Sequence, residues 1–475
     1  MGVNNNVKAL KSGVWYTIAN FITKSIGFIT TPIFTRLLSH TDYGLYSNYA
    51  SWLSTFTVFA TFNLSSSFIS ARFDYEKDFD GYISSTLVLS SLVTALWSAV
   101  INLFPGFFSN VTGIKSRYIN IMVMYLLLFS AVDMFQTRER YFYKYKISVT
   151  TSLLIAFSTA LLSVFLVVNM ENRLFGRILG SALPTVFVGI FLYPVLIYRG
   201  KKVETRYWRY ALPICVPYIP HVLSLSLLNS MDKMMITRIC GAEENALYSV
   251  AYSCGAVSTL LITSLNTAFS PWLGEKLNAK KYDEIRKVSK FYIIIFVYAA
   301  CGIMLVTPEI LLLMGGHSYS EAIYVMPPVA FGCICQFMYT MYVNVEQFSK
   351  KTIGMAIASI LAALFNFLLN SFFISRVGYL AAAYTTLASF IILLFFHIFL
   401  VRRIGMQVVY STRVIYLVLV LMSVYNILIH LLYLNRLIRY SVIGLYIMIS
   451  IIIILKHKKE LIKLIRNCQK QRQKR

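Results

Sequence analysis

Acidic residues are scarce in this chain: 19 Asp and Glu stand against 44 Lys and Arg, and charged residues of every kind make up only 13% of 475. So few charges cannot cover the surface of a soluble globule. A mean hydropathy of +0.67 with 58% hydrophobic residues lies outside the range of ordinary soluble domains. Cysteine is sparse as well. The seven, at 215, 240, 254, 301, 333, 335 and 468, show no paired spacing with His or acids, and most fall in apolar runs. They read as small core hydrophobes, neither zinc ligands nor a disulfide framework. Catalytic motifs are missing: there is no G-x-x-x-x-G-K-[ST], no H-E-x-x-H and no G-x-S-x-G, and the six histidines are scattered. Gly315-Gly-His-Ser-Tyr-Ser320 lacks a closing glycine. No catalytic residue, metal or cofactor is therefore expected. Lys8 and Lys11 precede the first apolar run, but no small-residue cleavage site follows, so that run reads as a retained span.

What is present is a series of apolar stretches of about 20 residues, each long enough to cross roughly 30 Å of hydrocarbon. Fourteen spans are expected, near 13–37, 43–70, 81–104, 118–137, 147–168, 174–198, 210–236, 246–272, 291–314, 322–348, 352–374, 379–401, 414–434 and 438–455. The connections are short, with no room for a separate extramembrane domain. The longest inner one, near 273–290, is expected to form a short interfacial helix. With the N-terminus inside, inner segments hold 33 Lys and Arg and outer segments and span ends hold 9, which places both termini in the cytoplasm. The same bias accounts for the net charge of +25 without nucleic acid. The basic tail from Lys456 to Arg475 is expected to lie against anionic headgroups.

One stretch occurs twice. Thr35-Arg-Leu-Leu-Ser-His-Thr-Asp-Tyr-Gly-Leu-Tyr-Ser47 returns without a gap as Thr237-Arg-Ile-Cys-Gly-Ala-Glu-Glu-Asn-Ala-Leu-Tyr-Ser249, 202 positions later. Thr35/Thr237, Arg36/Arg238, Leu45/Leu247, Tyr46/Tyr248 and Ser47/Ser249 are identical. Each copy breaks two apolar segments, as in internally duplicated membrane proteins. The offset equals six spans, an even number, so the repeats run parallel about an axis along the membrane normal. The expected fold is an all-α integral membrane protein with two parallel six-helix repeats around a central cavity. Its divisions are 1–200, 201–403, two extra helices in 404–455 and the tail 456–475.

Span 1 should then face span 7. Gly13, Thr17, Asn20, Lys24, Gly27 and Thr31 recur at steps of three and four, which puts them on one helical face. Lys24 falls near mid-membrane, where a lysine costs about 2.5–3.5 kcal/mol on insertion scales. The matching face of span 7 reads Ser226, Asn229, Lys233 and Thr237. The two lysines are expected in one cavity, about 10 Å apart in depth. Each also has a plainer reading, as a lysine that snorkels or pairs with a nearby acid. Three acids fall within spans. Asp232 points about 100° away from its neighbour Lys233 and needs a partner on another helix. Glu346 has Lys350 one turn on, so a local ion pair competes with an ion-coupling role. Asp133 has no local partner and is the better coupling candidate.

Several runs carry a family resemblance. Pro32-Ile-Phe-Thr-Arg-Leu-Leu-Ser39 with Tyr43-Gly-Leu-Tyr46, Leu212-Pro213, Pro217, Asp232-Lys-Met-Met-Ile236, Ala246-Leu-Tyr-Ser249 and Ala268-Phe-Ser-Pro271 resemble bacterial polysaccharide transporters. These are the lipid-linked oligosaccharide flippases of the multidrug/oligosaccharidyl-lipid/polysaccharide exporter superfamily. The resemblance covers about 1–403. Asn245-Ala246 stands where the second copy often carries glycine, and the last two spans exceed the twelve-span core.

The resemblance implies a V-shaped pair of six-helix bundles in the bacterial cytoplasmic membrane that alternate between inward and outward openings. It implies a substrate of oligosaccharide repeat units on undecaprenyl pyrophosphate, destined for O-antigen, capsule or exopolysaccharide. It also implies a polysaccharide polymerase and a chain-length regulator as partners, besides membrane lipids. Lys24 and Lys233 suit a pyrophosphate as flexible point charges, and Asn20, Thr31 and Asn229 suit phosphate or sugar hydroxyls. Three other readings stand beside this one. An ion-coupled drug exporter of the superfamily would be expected to have an acid-dominated cavity; a lipid II flippase would share the fourteen spans; a membrane polymerase or ligase would need a large outer loop.

Overall fold

The computed structural model describes the backbone of residues 2–142, 144–349 and 351–473; the side chains of 1–14, 17, 256–257, 260, 264, 267–268, 271, 352, 453–454 and 457–473 are not described. The readings of Lys8, Lys11, Gly13, Thr17, Ala268, Pro271, Lys350, Cys468 and the tail beyond Lys456 therefore lie outside the described residues. Among those described there is helix and no strand.

The first half runs α1 (Gly2–Leu37), α2 (His40–Thr61), α3 (Phe68–Asp74), α4 (Phe79–Leu103), α5 (Pro105–Thr112), α6 (Ser116–Tyr141), α7 (Tyr145–Asn169) and α8 (Arg173–Gly200). The second runs α9 (Thr205–Cys215), α10 (Ile219–Ile239), α11 (Ala242–Asn278), α12 (Tyr282–Leu305), α13 (Thr307–Gly315), α14 (Met326–Phe348), α15 (Thr352–Val377) and α16 (Leu380–Arg403), followed by α17 (Thr412–Leu434) and α18 (Arg436–Gln473). The 202-residue register of the sequence repeat carries over to these elements. The ends of α1 and α10, the starts of α2 and α11, the ends of α4 and α12, and the starts of α5 and α13 each differ by 202.

Among the described residues, ten helical stretches are long and apolar enough to cross a membrane. The other four expected crossings are α1, α2, α11 and α18, helices of 36, 22, 37 and 38 residues. The middle pair, α2 and α11, pack on one another, and α2 also packs on α10, so Ser, Thr and Asn on these helices meet protein instead of lipid.

Three expected boundaries differ. The second span breaks after α2, where Phe62 and Asn63 take left-handed φ values of 49° and 48° and a 3₁₀ turn over Leu64–Ser67 leads into α3. Span 7 is two helices, because Pro213, Pro217 and Pro220 remove amide donors around a 3₁₀ joint at Val216–Tyr218. The expected interfacial helix near 273–290 is instead a helical hairpin: α11 continues to Asn278 and α12 begins at Tyr282.

The joint in span 7 matters for packing. Tyr207, Ala211 and Cys215 of α9 are fully buried in a first-half cluster with Leu64, Phe68, Phe79 and Tyr82. Tyr75 meets the rings of Tyr207 and Tyr210 edge-on at 5.0 and 5.1 Å, a favoured aromatic arrangement. Lys202 bridges Asp78 at 2.5 Å, and Tyr207 donates to the same carboxylate. α10, by contrast, packs on α15 of the second half and on α2. α17 and α18 dock on α12, where Tyr298 and Tyr446 stack at 4.5 Å, and Arg439 of α18 pairs with Glu309 of α13 at 2.6 Å.

Candidate translocation pathway

Polar contacts between the halves gather where the repeated stretch lies. Ser47 and Ser249 share a hydrogen bond of 2.6 Å. Thr41 donates to Glu243 at 2.8 Å, again across 202 positions, and the Asn245 amide donates to the Gly44 carbonyl at 2.9 Å. Gly44 itself abuts the Ala242 carbonyl so closely that a Cβ there would collide with it. Deeper along α2, Ser54 meets Ser226 of α10 at 3.2 Å.

The two repeated arginines perform matching tasks. Arg36 donates to the Leu313 carbonyl at 3.2 Å, and Arg238 donates to the carbonyls of Asn110 and Val111 at 3.0 and 3.1 Å. Val111 and Leu313 differ by 202, so each arginine caps the C-terminal end of the other half's short helix, α5 or α13. Such carbonyls have no partner within their own helix and carry partial negative charge, which favours a cation there. Thr35 adds a bond of 2.6 Å to the Met314 carbonyl. The repeated stretch thus forms a reciprocal clamp at one end of the bundle.

On α1, Lys24 and Asn20 are exposed, and beside them Gly27 has open space where a Cβ would be. Among the described residues Lys24 has no hydrogen-bond or ion-pair partner. Thr31 is buried, and its hydroxyl donates back to the Gly27 carbonyl at 3.0 Å. On α10, Asn229 is exposed with its amide donated to Leu225 at 2.7 Å, which leaves its carbonyl oxygen for a ligand. Lys233 is half-buried, its ammonium 5.0 Å from the Tyr252 ring centroid.

Asp232 turns the other way, into the second half. Its carboxylate accepts from Tyr248 at 2.6 Å, Thr386 at 2.7 Å and Asn370 at 2.7 Å. Asn366 extends the network to Thr386 at 2.9 Å, and Thr385 donates to Asn370. Every member is buried. The sequence reading missed these partners, although Asn366 and Asn370, one turn apart in an apolar span, were a usable signal. Asp133 is half-buried with Ser65 and Arg140 as its polar neighbours. Glu346 is fully buried and meets His397 of α16 at 2.8 Å; the expected pair with Lys350 lies outside the described residues. Its second carboxylate oxygen has no partner among the described residues. Among the described residues no group of three or more His, Cys, Asp or Glu gathers in a metal-holding cluster.

Comparison with known proteins adds the following. Residues 9–277 match the profile described as "Polysaccharide biosynthesis protein", and residues 217–372 match the one described as "MatE". A relative from Haemophilus influenzae, "Lsg locus putative protein 1", is 22% identical over 327 residues, spanning 66% of this chain and 78% of that protein. Among solved structures, the lipid II flippase MurJ in an inward closed conformation superposes with a TM-score of 0.68 at 14% identity, covering 94% of this chain and all of that one. An inward-facing multidrug resistance MATE family transporter of the MOP superfamily gives 0.63 at 13% identity, covering 85% and 98%. Identities this low establish a shared fold.

Proposed function

The chain belongs to the polysaccharide biosynthesis protein family of MOP-superfamily transporters, and from that premise we propose that it flips undecaprenyl-pyrophosphate-linked oligosaccharide repeat units across the bacterial cytoplasmic membrane. The observation that carries this reading is Lys24: an exposed, unpaired ammonium on a face of Asn and Gly, with open space beside it. A pyrophosphate supplies the charge such a group lacks, and the glycan supplies hydroxyls for Asn20 and Asn229. The polyprenyl chain stays in lipid.

In this reading the end rich in Lys and Arg faces the cytoplasm, as do both termini. The clamp from Thr35 to Ser249 then seals the outer mouth, and the conformation described loads from the cytoplasm. Residues 1–200 and 201–403 are the two rocking halves, with α9 held by the first. Residues 404–455 add two crossings and 456–475 a basic tail. Asp232 is the coupling group: an oxygen-rich buried carboxylate that changes its proton or cation as the halves move. Asp133, on α6 of the first half, is the second coupling candidate. The buried Glu346–His397 pair takes a structural part. A polymerase and a chain-length regulator receive the product.

Deleting the gene in its host tests this. Lipid-linked repeat units should accumulate on the inner leaflet and surface glycan should disappear, with peptidoglycan synthesis intact. Arrested peptidoglycan synthesis would indicate a lipid II flippase instead. Retention of a cationic dye in the deletion strain, with glycan unchanged, would indicate a drug exporter.

A further inference from the structure

A cavity of about 810 Å³ lies where α14, α15 and α16 meet at the Lys- and Arg-rich end of the molecule, and the pathway above makes no use of it. Its long walls are apolar: Ile353, Ile357 and Leu361 follow one another along α15, and Phe396, Phe399 and Leu400 face them from α16. At the mouth stand two cations, Lys351 and Arg403. Both are exposed, and neither has an acidic partner among the described residues. The inner wall is closed by Glu346, which is sealed from solvent and meets His397 through one carboxylate oxygen.

The dimensions select the occupant. From Ile353 to Leu361 is about 12 Å of helix, and from Arg403 to Phe396 about 10 Å. Half of a hydrocarbon core of about 30 Å is roughly 15 Å, so the slot is one leaflet deep. Ile353 is 79% exposed and Phe399 59%, which makes the slot open along its side to hydrocarbon. A soluble anion would satisfy the two cations but gain nothing from the apolar walls. A neutral lipid would fill the walls but leave the cations unanswered. A polyprenyl carrier chain is several times longer than the slot. What matches charge, polarity and length together is an acyl chain beneath an anionic phosphate, and basic pockets between transmembrane helices are where such headgroups bind.

We propose that this slot binds one anionic glycerophospholipid of the leaflet at the basic end, with its phosphate between Lys351 and Arg403 and one acyl chain along Ile353, Ile357 and Leu361. The site depends on the chain spanning a membrane and on nothing in the flippase reading. A lipid held there fixes the inner end of α15, the helix that carries Asn366 and Asn370, against α16.

The test uses the full-length protein in nanodiscs, released into native mass spectrometry. In phosphatidylglycerol-containing discs one phosphatidylglycerol should remain per chain; in pure phosphatidylcholine discs none should. The double variant Lys351→Ala/Arg403→Ala should retain it roughly 30-fold more weakly, the factor expected for two such charges. Ile357→Trp keeps both charges but fills the slot from an exposed position, and it should lose the lipid too. All these side chains are exposed, so unchanged melting in detergent reports intact folding. Equal retention of phosphatidylcholine, unchanged retention by either variant, or displacement by undecaprenyl phosphate at lower concentration than phosphatidylglycerol would each overturn the proposal.

Discussion

Ser47 and Ser249 stand 202 residues apart in the chain and 2.6 Å apart in space. Residues related by an internal repeat can touch only beside the rotation axis that relates the two copies, because any point off that axis is carried away from itself. These hydroxyls therefore mark the axis, and every contact around them must break for the halves to part at this end. Ser47→Cys/Ser249→Cys, placed in a chain whose native cysteines are replaced, should form a disulfide under mild oxidation, since the pair is within bridging reach. Transport should stop on oxidation and return with reductant. Full transport by the cross-linked form would mean that this end never opens.

The reciprocal arginines give a graded version of the same test. Arg36→Ala and Arg238→Ala each remove a charged bond to helix-terminal carbonyls. Such bonds are worth about 1.5–3 kcal/mol when buried; at these exposed positions about 1 kcal/mol is expected. Each variant should raise labelling of a cysteine at Asn229 by an impermeant outside thiol reagent roughly fivefold, and the double variant should multiply the two effects. No change in labelling would show that the arginines brace their own helix ends and do not latch the mouth.

The repeated stretch was legible in the sequence because its residues are local and occur twice; that its two copies grip one another was not. The breaks were less legible. Nothing in the hydropathy of 43–70 signals that Phe62 and Asn63 reverse the backbone, whereas Pro213, Pro217 and Pro220 were visible and their combined effect on span 7 was not drawn. The partners of buried acids were the least legible. Glu346 meets His397 of another helix, because a side chain facing the bundle interior is answered by whichever helix packs there. Asp232 finds Asn370 and Thr386 for the same reason.

The Glu346–His397 pair should behave as structure. Removing one member of a buried hydrogen-bonded pair leaves the other unsatisfied and costs about 1–3 kcal/mol, more where the group left behind is charged, whereas replacing both with neutral groups is far milder. Glu346→Gln should therefore lower the melting temperature strongly and Glu346→Gln/His397→Gln should recover much of the loss. Transport per folded molecule should stay unchanged in the double variant. A stable double variant without transport would give the pair a coupling role.

Acid should loosen the tie between α9 and the first half. Partial burial pushes the Asp78 carboxyl up, but its bonds from Lys202 and Tyr207, with Arg206 nearby, hold it below the ordinary aspartate range. A carboxyl depressed on folding stabilises the folded state above its unfolded value, about pH 4, and that contribution is lost as pH falls through the lower folded value. Asp78 is about one-third exposed, so screening keeps the gain to about 1 kcal/mol or less. Asp78→Asn should thus melt slightly earlier than wild type at pH 7, with the difference closing below about pH 4. A difference that grows on acidification would reverse the sign argued here.

Lys24 carries the proposed mechanism and is its most exposed point. Its ammonium has no partner among the described residues, so truncation removes an insertion cost and breaks no described bond. Lys24→Ala should accumulate in the membrane at normal levels and melt no lower than wild type. A pyrophosphate in the cavity would lose one charge-assisted contact, typically about 1.5–3 kcal/mol, and export of the lipid-linked glycan should fall roughly ten- to a hundredfold. Lys24→Arg keeps the charge in a different geometry and should retain part of the activity. Lys233→Ala should be milder: that ammonium already rests against the Tyr252 ring, so part of its interaction energy is spent inside the protein. Export rates measured on everted vesicles with radiolabelled carrier, normalised to folded protein, give the ranking. Wild-type export by Lys24→Ala would remove the cationic cavity from the mechanism while leaving the family and fold untouched.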